Sequence, residues 1–334
     1  MTRVLVTGGG GFIGRQVVGM LREHGDTVTV LDLQYGDDVR DLRTVRSMAD
    51  GVDVIVHLAA KVGLGVRLDD IDDYVSANDL GTAVMLRAAG VGHIVVASSM
   101  VVYGDGAYRC PDHGAVVAPA RSRKDLSRGL FEPRCRCGAE LTPGLVDESA
   151  PFDPRNAYAA SKVQTEYLTR VWARETGGSA TALRFHNVYG PGMPRDTPYA
   201  GVAALFRAAT IRGEPPLVFE DGQQRRDFVH VHDVARAVLL SVHRPGPAGQ
   251  VTAYNVGSGT VTTVGELATL IAGMAGGPEP VTTGRYRLGD VRHITASSAR
   301  ITRDLGWRPT VDLRSGLAVP DPVRPGWRPA AGAR

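Results

Sequence analysis

An α/β fold built on a parallel sheet is what this 334-residue chain predicts. Two observations in its first hundred residues carry that reading. Short β-branched runs alternate with segments of helical period, and a glycine-rich turn joins the first run to the first helix. Arg3 to Thr7 reads as a buried strand. Phe12 to His24 follows as a helix, with Phe12, Ile13, Val17, Met20 and Leu21 on one face. Val28 to Leu31, Val52 to His57 and Ile94 to Ala97 read as further strands, with a helix over Tyr74 to Ala89 before the last of them. This rhythm gives βαβ units with right-handed crossovers. From Gly104 to Glu148 it stops, in a stretch rich in Pro, Gly, Arg and Cys that reads as an insertion over about 105–148. A helix resumes at Asn156 to Arg174 and a strand at Ala180 to Phe185. The C-terminal half mixes helices (Tyr199 to Arg212, Asp233 to His243, Val264 to Met274) with short strands, without continuing the parallel alternation cleanly. The expected division is one unit over 1–185, a smaller one over 186–319 and a flexible Pro, Gly, Ala and Arg-rich tail over 320–334.

Composition narrows the function. At 43% hydrophobic and 22% charged the chain is an ordinary globular protein. The net charge is only +3 and the arginines are scattered among acids, which argues against a nucleic-acid partner. No apolar run reaches the roughly 18 residues that span a bilayer, and the N-terminal apolar stretch is broken by glycines too early for a signal peptide. A reduced, cytoplasmic protein with no membrane partner is therefore expected. Of 38 basic residues, 35 are Arg and three are Lys: Lys61, Lys124 and Lys162. A lysine that survives such a bias marks a place where Arg does not substitute.

The glycine-rich turn runs Thr7-Gly8-Gly9-Gly10-Gly11-Phe12-Ile13-Gly14 and opens directly into the first helix. Gly9, Gly11 and Gly14 fit the dinucleotide fingerprint, whose exposed N–H groups and helix dipole hold a pyrophosphate. Asp32 stands at the end of the second strand, where an acid accepts from a ribose 2′-hydroxyl and repels a 2′-phosphate; NAD is the cofactor this predicts. The competing reading is a glycine-rich turn without a ligand. Tyr158 and Lys162 lie four residues apart on one helical face. A neighbouring ammonium favours a phenolate, so the pair is expected to lower the Tyr158 pKa and make it a general base. Ser98 and Ser99 follow the fourth strand, at the carboxyl edge of the sheet where ligands of such folds bind. Taken singly, the Tyr–Lys pair reads as a solvated helix face and the serines as a turn.

Together these motifs resemble the extended short-chain dehydrogenase/reductases of the nucleotide-sugar epimerase/dehydratase group. The resemblance covers about residues 1–315 apart from the insertion. It implies a Rossmann-type doubly wound parallel sheet with a smaller C-terminal α/β substrate domain. Gly8, Gly11, Phe12, Ile13 and Gly14 match the family's cofactor turn, and Asp38 and Val39 its adenine contact. His57, Leu58, Ala59, Ala60 and Lys61 match the cofactor-side loop, and Asn78 the structural Asn grouped with it. Ser99, Tyr158 and Lys162 take the catalytic positions, with Tyr158 and Lys162 also on the nicotinamide ribose. Phe185, Asn187 and Val188, within Arg184 to Pro191, lie beside nicotinamide and substrate in the family; Arg226, Arg287 and Asp290 hold the nucleoside diphosphate of the sugar. Met100 and Val101 stand where 4,6-dehydratases carry an Asp-Glu pair, so dehydration is not expected. The implied activity is NAD-dependent 4-epimerisation through a transient 4-keto sugar, in a homodimer. Alternatives are a UDP-hexose 4-epimerase acting on glucose, galactose or glucuronate, an NADPH-dependent 4-ketoreductase, and a non-catalytic NAD-binding protein.

All three cysteines fall in the insertion. Cys110-Pro-Asp-His113-Gly resembles a zinc-knuckle turn with one Cys replaced by His, and Cys135-Arg-Cys137-Gly a second, shortened by one residue. Three thiolates and an imidazole suit a structural Zn²⁺; the alternative is three reduced cysteines in a flexible loop. In the resembled family such insertions mark a subgroup acting on dTDP-L-rhamnose at C4.

Overall fold

The chain's first seven residues set the layering. In β1 (Arg3–Thr7), Val4 and Val6 point to one face and Leu5 to the other, and all are buried. A strand covered on both sides belongs inside a parallel sheet. The computed structural model describes residues 1–63, 68–194 and 201–319. After β1 come α1 (Phe12–Glu23), β2 (Thr27–Leu31), α2 (Leu42–Ala49) and β3 (Val54–His57). A helical run follows as α3 (Ile71–Tyr74), a π-turn (Val75–Leu80) and α4 (Gly81–Ala88), leading into β4 (His93–Ser99). The insertion carries β5 (Tyr108–Cys110), β6 (Gly114–Val116), α5 (Arg123–Leu126) and β7 (Thr142–Pro143). Next are α6 (Ala157–Thr176), β8 (Ser179–Phe185), β9 (Asn187–Tyr189), α7 (Val202–Ile211), β10 (Leu217–Val218) and β11 (Arg225–His230). The remainder is α8 (Val231–His243), β12 (Val251–Val256), β13 (Val261–Thr263), α9 (Val264–Ala275), β14 (Val281–Thr282), α10 (Ala299–Leu305) and α11 (Leu313–Ala318). The expected tail over 320–334 and the start of the helix expected at Tyr199 lie outside the described residues.

Six strands pair in the order β12-β8-β4-β3-β1-β2, all parallel. The chain leaves β1 toward β2 on one side and returns to β3 on the other, which opens a crevice at the carboxyl ends beside β1. Helices α1, α8 and α10 cover one face through Val17, Leu21, Val234, Val238 and Ile301. Helices α2, α4 and α6 cover the other through Val45, Met85 and Trp172. A separate core joins α7 and α9 to the three-stranded sheet β13-β11-β9. The strand and helix expectations through Phe185 hold to within a few residues.

Three features depart from the sequence reading. The helix expected to run unbroken from Tyr74 is interrupted by the π-turn. The C-terminal half returns to the parallel sheet: β12 lies beside β8, with Val251 opposite Ala180 and Val256 opposite Phe185. The insertion, read from the sequence only as a break in the alternation, forms its own antiparallel sheet β6-β5-β7. Among the described residues no helix is long and apolar enough to cross a membrane.

The end of α1 is tied down by one acid. The Asp26 carboxylate accepts from the Thr2 amide at 3.0 Å and meets His24 Nδ1 at 3.1 Å and His243 Nε2 at 2.8 Å, joining β1 to the last turn of α8. Burial pushes its pKa up, and these bonds together hold it below the ordinary value. A depressed acid contributes stability above its unfolded pKa and loses it as pH falls through the folded one. Asp26→Asn is therefore expected to cost about 1–2 kcal/mol near neutrality. Urea titrations of both proteins should show that gap closing below about pH 4; a gap that persists unchanged at pH 3 would assign it to another group.

Candidate active site

The crevice at the sheet's carboxyl edge is a cleft of about 770 Å³. Its floor is the glycine turn. Gly8 has φ +71°, and a Cβ there would lie 2.6 Å from the Ala59 amide nitrogen; one at Gly14 would lie 2.1 Å from the Gly8 carbonyl oxygen. Only glycine lets the turn, the loop after β3 and α1 approach this closely. Helix α1 begins at Gly11, which offers no side-chain cap, so the first-turn N–H groups are left for a ligand. The Asp32 carboxylate is buried beside them, accepting from the Gly10 amide at 2.8 Å and the Gln34 amide at 2.9 Å.

The cofactor-side loop is braced from behind. Thr7 Oγ1 lies 2.8 Å from His57 Nδ1 and accepts from the Ala59 amide, while His57 Nε2 meets Thr82 Oγ1 at 3.1 Å. Burial lowers the His57 pKa to about 3, so this imidazole is neutral wherever the protein is folded near neutrality. Asn78 lies on the π-turn, accepts from the Lys61 amide at 2.7 Å and donates to the Lys61 carbonyl and to Ser161 Oγ. It holds the loop and does not line the cleft, which corrects its grouping with the cofactor-contacting residues. The other residues expected there do line it: Gly8, Gly11, Phe12, Ile13, Gly14, Asp32, Asp38, Val39, Leu58, Ala59, Ala60, Lys61, Phe185 and Val188.

Ser99, Tyr158 and Lys162 meet in the same cleft. Ser99 ends β4, and its side chain, which accepts from the Val101 amide at 3.4 Å, favours the ionised form of Tyr158. Tyr158 occupies the first turn of α6, which Asn156 caps by accepting from the Ala159 amide at 2.8 Å. The expectation that Lys162 lowers the Tyr158 pKa is not met in this arrangement. Burial pushes the phenol up to about 12, with Ser99 acting in the opposite direction. Lys162 Nζ stands 5.9 Å from the Tyr158 ring centroid and donates to the Ala97 carbonyl at 3.0 Å. Its own pKa falls to about 8 because burial disfavours the ammonium, partly offset by Asp79. Desolvation dominates for both groups, which i,i+4 spacing does not reveal.

Of the residues expected on the substrate, Asn187 lines the cleft with Ser99; Arg226, Arg287 and Asp290 do not. These last three form a neighbouring ionic cluster in which burial raises the Asp290 pKa and Arg287 and Arg226 oppose it. The Arg226 guanidinium turns toward backbone, donating to the Val291 carbonyl at 2.6 Å and the Arg292 carbonyl at 2.9 Å. Sequence reasoning gave no role to His186, which lines the cleft with both ring nitrogens buried and without partners and with its pKa lowered to about 3 by burial. It also passed over Arg121 of the insertion, which reaches Glu220 at 2.9 Å and the Asp290 carbonyl at 2.7 Å.

In the insertion, Cys110, His113, Cys135 and Cys137 converge, with one ligand atom from each within 4.8 Å of all the others.

A model of the "NAD dependent epimerase/dehydratase family" matches residues 4–123 and 137–257, two stretches that flank part of the insertion. The chain is 33% identical to the dTDP-L-rhamnose 4-epimerase of Burkholderia thailandensis, over 94% of this chain and 93% of that one. Its fold matches the UDP-glucose 4-epimerase of Thermotoga maritima, solved with UDP-glucose, at a TM-score of 0.77 and 30% identity, covering 95% and 96% of the two chains. It also matches MoeE5, solved with UDP-glucuronic acid and NAD, at a TM-score of 0.76 and 31% identity over the same shares. The glycine cradle, the uncapped helix and the Ser99, Tyr158 and Lys162 constellation thus have their context: the chain belongs to the NAD dependent epimerase/dehydratase family.

Proposed function

We propose that this protein is an NAD-dependent nucleotide-sugar 4-epimerase acting on a dTDP-6-deoxyhexose, with dTDP-L-rhamnose the favoured substrate. The single observation that carries the chemistry is the meeting of Ser99, Tyr158 and Lys162 at one cleft above an uncapped, glycine-lined helix terminus. The sugar preference rests on the likeness to the Burkholderia enzyme. The cradle fits NAD: Gly8 and Gly14 admit close backbone approach, the α1 N–H groups suit a pyrophosphate, and the buried Asp32 carboxylate disfavours a 2′-phosphate. NAD held in this cradle would supply the hydride acceptor at C4 of the sugar and the hydride returned to the opposite face of the 4-keto intermediate. Tyr158 Oη takes the proton of the sugar 4-hydroxyl and gives it back, with Ser99 Oγ holding the reacting oxygen. Lys162, held beside the Tyr158 ring by the Ala97 carbonyl, is placed to bond the nicotinamide ribose. Met100 and Val101, in the turn directly after Ser99, offer no proton-transferring group, which favours epimerisation over dehydration.

Two further parts belong to this reading. The insertion's Cys110, His113, Cys135 and Cys137 hold a structural Zn²⁺ apart from the chemistry. The protein pairs as a homodimer through the α3–α4 run and α6, whose outer faces leave Val75, Leu80, Tyr167 and Val171 each about half exposed. Light scattering of the purified chain checks this; a monomer at micromolar concentration would remove the dimer from the proposal.

Incubation with dTDP-L-rhamnose, without added nicotinamide cofactor, is expected to yield the C4 epimer by NMR, and a deuterium label at C4 should stay in the product. Strict dependence on added NADPH would instead identify a ketoreductase, and preference for UDP-glucose a UDP-hexose epimerase. Tyr158→Phe should lower kcat by about 10²–10⁴-fold while bound NAD is retained. Lys162→Arg should also cripple turnover, and Lys124→Arg on the exposed helix α5 should leave it unchanged. Full activity in Tyr158→Phe would leave only a binding function.

A further inference from the structure

Four side chains of the insertion, drawn from two turns, point at one centre. Cys110 ends β5 and His113 sits in the turn before β6, where Gly114 takes φ +70°. In the second turn the Gly138 amide donates to the Cys135 carbonyl, and the Cys135 amide to the Ala139 carbonyl, both at 2.8 Å. Cys110 Sγ lies 3.4 Å from His113 Nδ1 and 3.7 Å from Cys137 Sγ, and Cys135 Sγ lies 3.5 Å from the same His113 Nδ1. A tetrahedral zinc with Zn–S of about 2.3 Å and Zn–N of about 2.0–2.1 Å sets its ligands about 3.8 Å apart for S···S and about 3.6 Å for S···N. The observed separations are those of a coordination shell. They are far from the roughly 2.05 Å of a disulfide, and three cysteines cannot all pair.

The segment's apolar packing is small. Its own core is Tyr108, Cys110, Ala118 and Leu141. Two of its side chains nevertheless reach across to the ionic cluster beside the cleft. Glu132, three residues before Cys135, bonds the Arg292 guanidinium and lies 2.8 Å from His293 Nε2. Arg121 bonds Glu220 and the Asp290 carbonyl, and Glu220 in turn meets Arg292 at 2.9 Å. Arg292 is fully buried, and its carbonyl accepts from Arg226. One network therefore runs from the cysteine turns to Arg226 and Asp290.

We infer that Cys110, His113, Cys135 and Cys137 hold one Zn²⁺, and that this clasp fixes Arg121 and Glu132 against the segment carrying Asp290, Arg292 and His293. Order at the diphosphate end of the substrate site then depends on the metal. Binding replaces three thiol protons, which pass to solvent, and leaves a neutral imidazole and three thiolates around the ion. Arg121 and Glu132 act as positioning residues. The substrate half of the inference rests on the proposed nucleotide-sugar activity and on the diphosphate role that the family resemblance implies for Arg226, Arg287 and Asp290; the metal half stands alone.

The test uses the full chain as purified. Elemental analysis should find one zinc per chain, and the cobalt-substituted protein should absorb in the visible through thiolate-to-metal charge transfer. Chelation of the intact enzyme should speed amide hydrogen exchange over residues 286–295 and leave β1 unchanged. It should also raise KM for the nucleotide sugar about tenfold, the effect of one lost charge-assisted hydrogen bond, with kcat within about twofold. Added ZnSO₄ should restore both. Cys135→Ser should lose the zinc and copy the chelated enzyme; if it fails to fold, the chelation series decides. A chain without stoichiometric metal, whether it titrates three free thiols or one, overturns the site. Zinc that is present but whose removal leaves exchange over 286–295 and KM unmoved overturns the positioning role. If no nucleotide sugar is turned over, the proposed function fails, and metal content and exchange still decide this inference.

Discussion

The buried ion pair of Arg184 and Glu166 fixes the parts of the site relative to one another. Arg184 Nε and Nη2 reach the two Glu166 carboxylate oxygens at 2.8 Å each, and both residues are at most 2% exposed. A pair taken out of water is stable only when its remaining donors and acceptors are met. Here Ser98 Oγ donates to Glu166 at 2.6 Å, and Arg184 Nη1 donates to Tyr103 Oη at 2.7 Å, which donates onward to Asn255. One network thus locks β4, α6, β8 and β12 in a single register. Ser98 neighbours Ser99, and Glu166 lies one helical turn beyond Lys162, so the pair sets where α6 presents Tyr158 and Lys162 to the end of β4. Removing either ion would leave the other charged and unpaired in the core, a change far larger than the loss of one contact.

Directly above that network, the site withholds solvation from the groups it brings together. Tyr158 is pushed toward the phenol and Lys162 toward the free amine, because burial disfavours the charged form of each. The protein pairs the buried charges of Arg184 and Glu166 and leaves Tyr158 and Lys162 desolvated. That contrast is expected where proton transfer has to be poised rather than finished. The backbone oxygen of Ala97 holds Lys162 in place, and Ser99 is the polar neighbour that eases Tyr158 back.

What was legible in the sequence was local or periodic. Buried parallel strands must be apolar on both faces, so β1, β3, β4 and β8 announce themselves. The glycine turn is readable because its constraints act within seven residues, and Tyr158 and Lys162 because helical spacing places them together. The illegible parts depend on residues far apart in the chain. The π-turn at Val75–Leu80 brings Asn78 against Lys61 and Ser161, which no helical period announces. Strand β12 pairs with β8 after a gap that holds three strands and two helices. Glu132 finds Arg292 across 160 positions. Arg226 lies near Asp290, yet its guanidinium is engaged by backbone carbonyls that sequence spacing does not reveal.

The same physics explains why an arginine-rich chain keeps lysine at Lys162. Arg184 and Arg292 sit where a rigid five-donor fork meets several acceptors: two carboxylate oxygens, a phenol and a carbonyl for the first, and Glu132, Glu220 and Asp221 for the second. At Lys162 the surroundings offer the Ala97 carbonyl and, at longer range, Asp79. A guanidinium there would bury donors with no partners and could not shed its charge, whereas an amine can do so at about pH 8. Lys61, on the cleft wall, pairs with Asp73 at 2.5 Å and lies over the Tyr74 ring. Lys124, on exposed α5, has no comparable constraint. The choice between the two cations therefore follows the number of buried acceptors at each position, and the position that most strictly requires lysine is the one beside the reacting tyrosine.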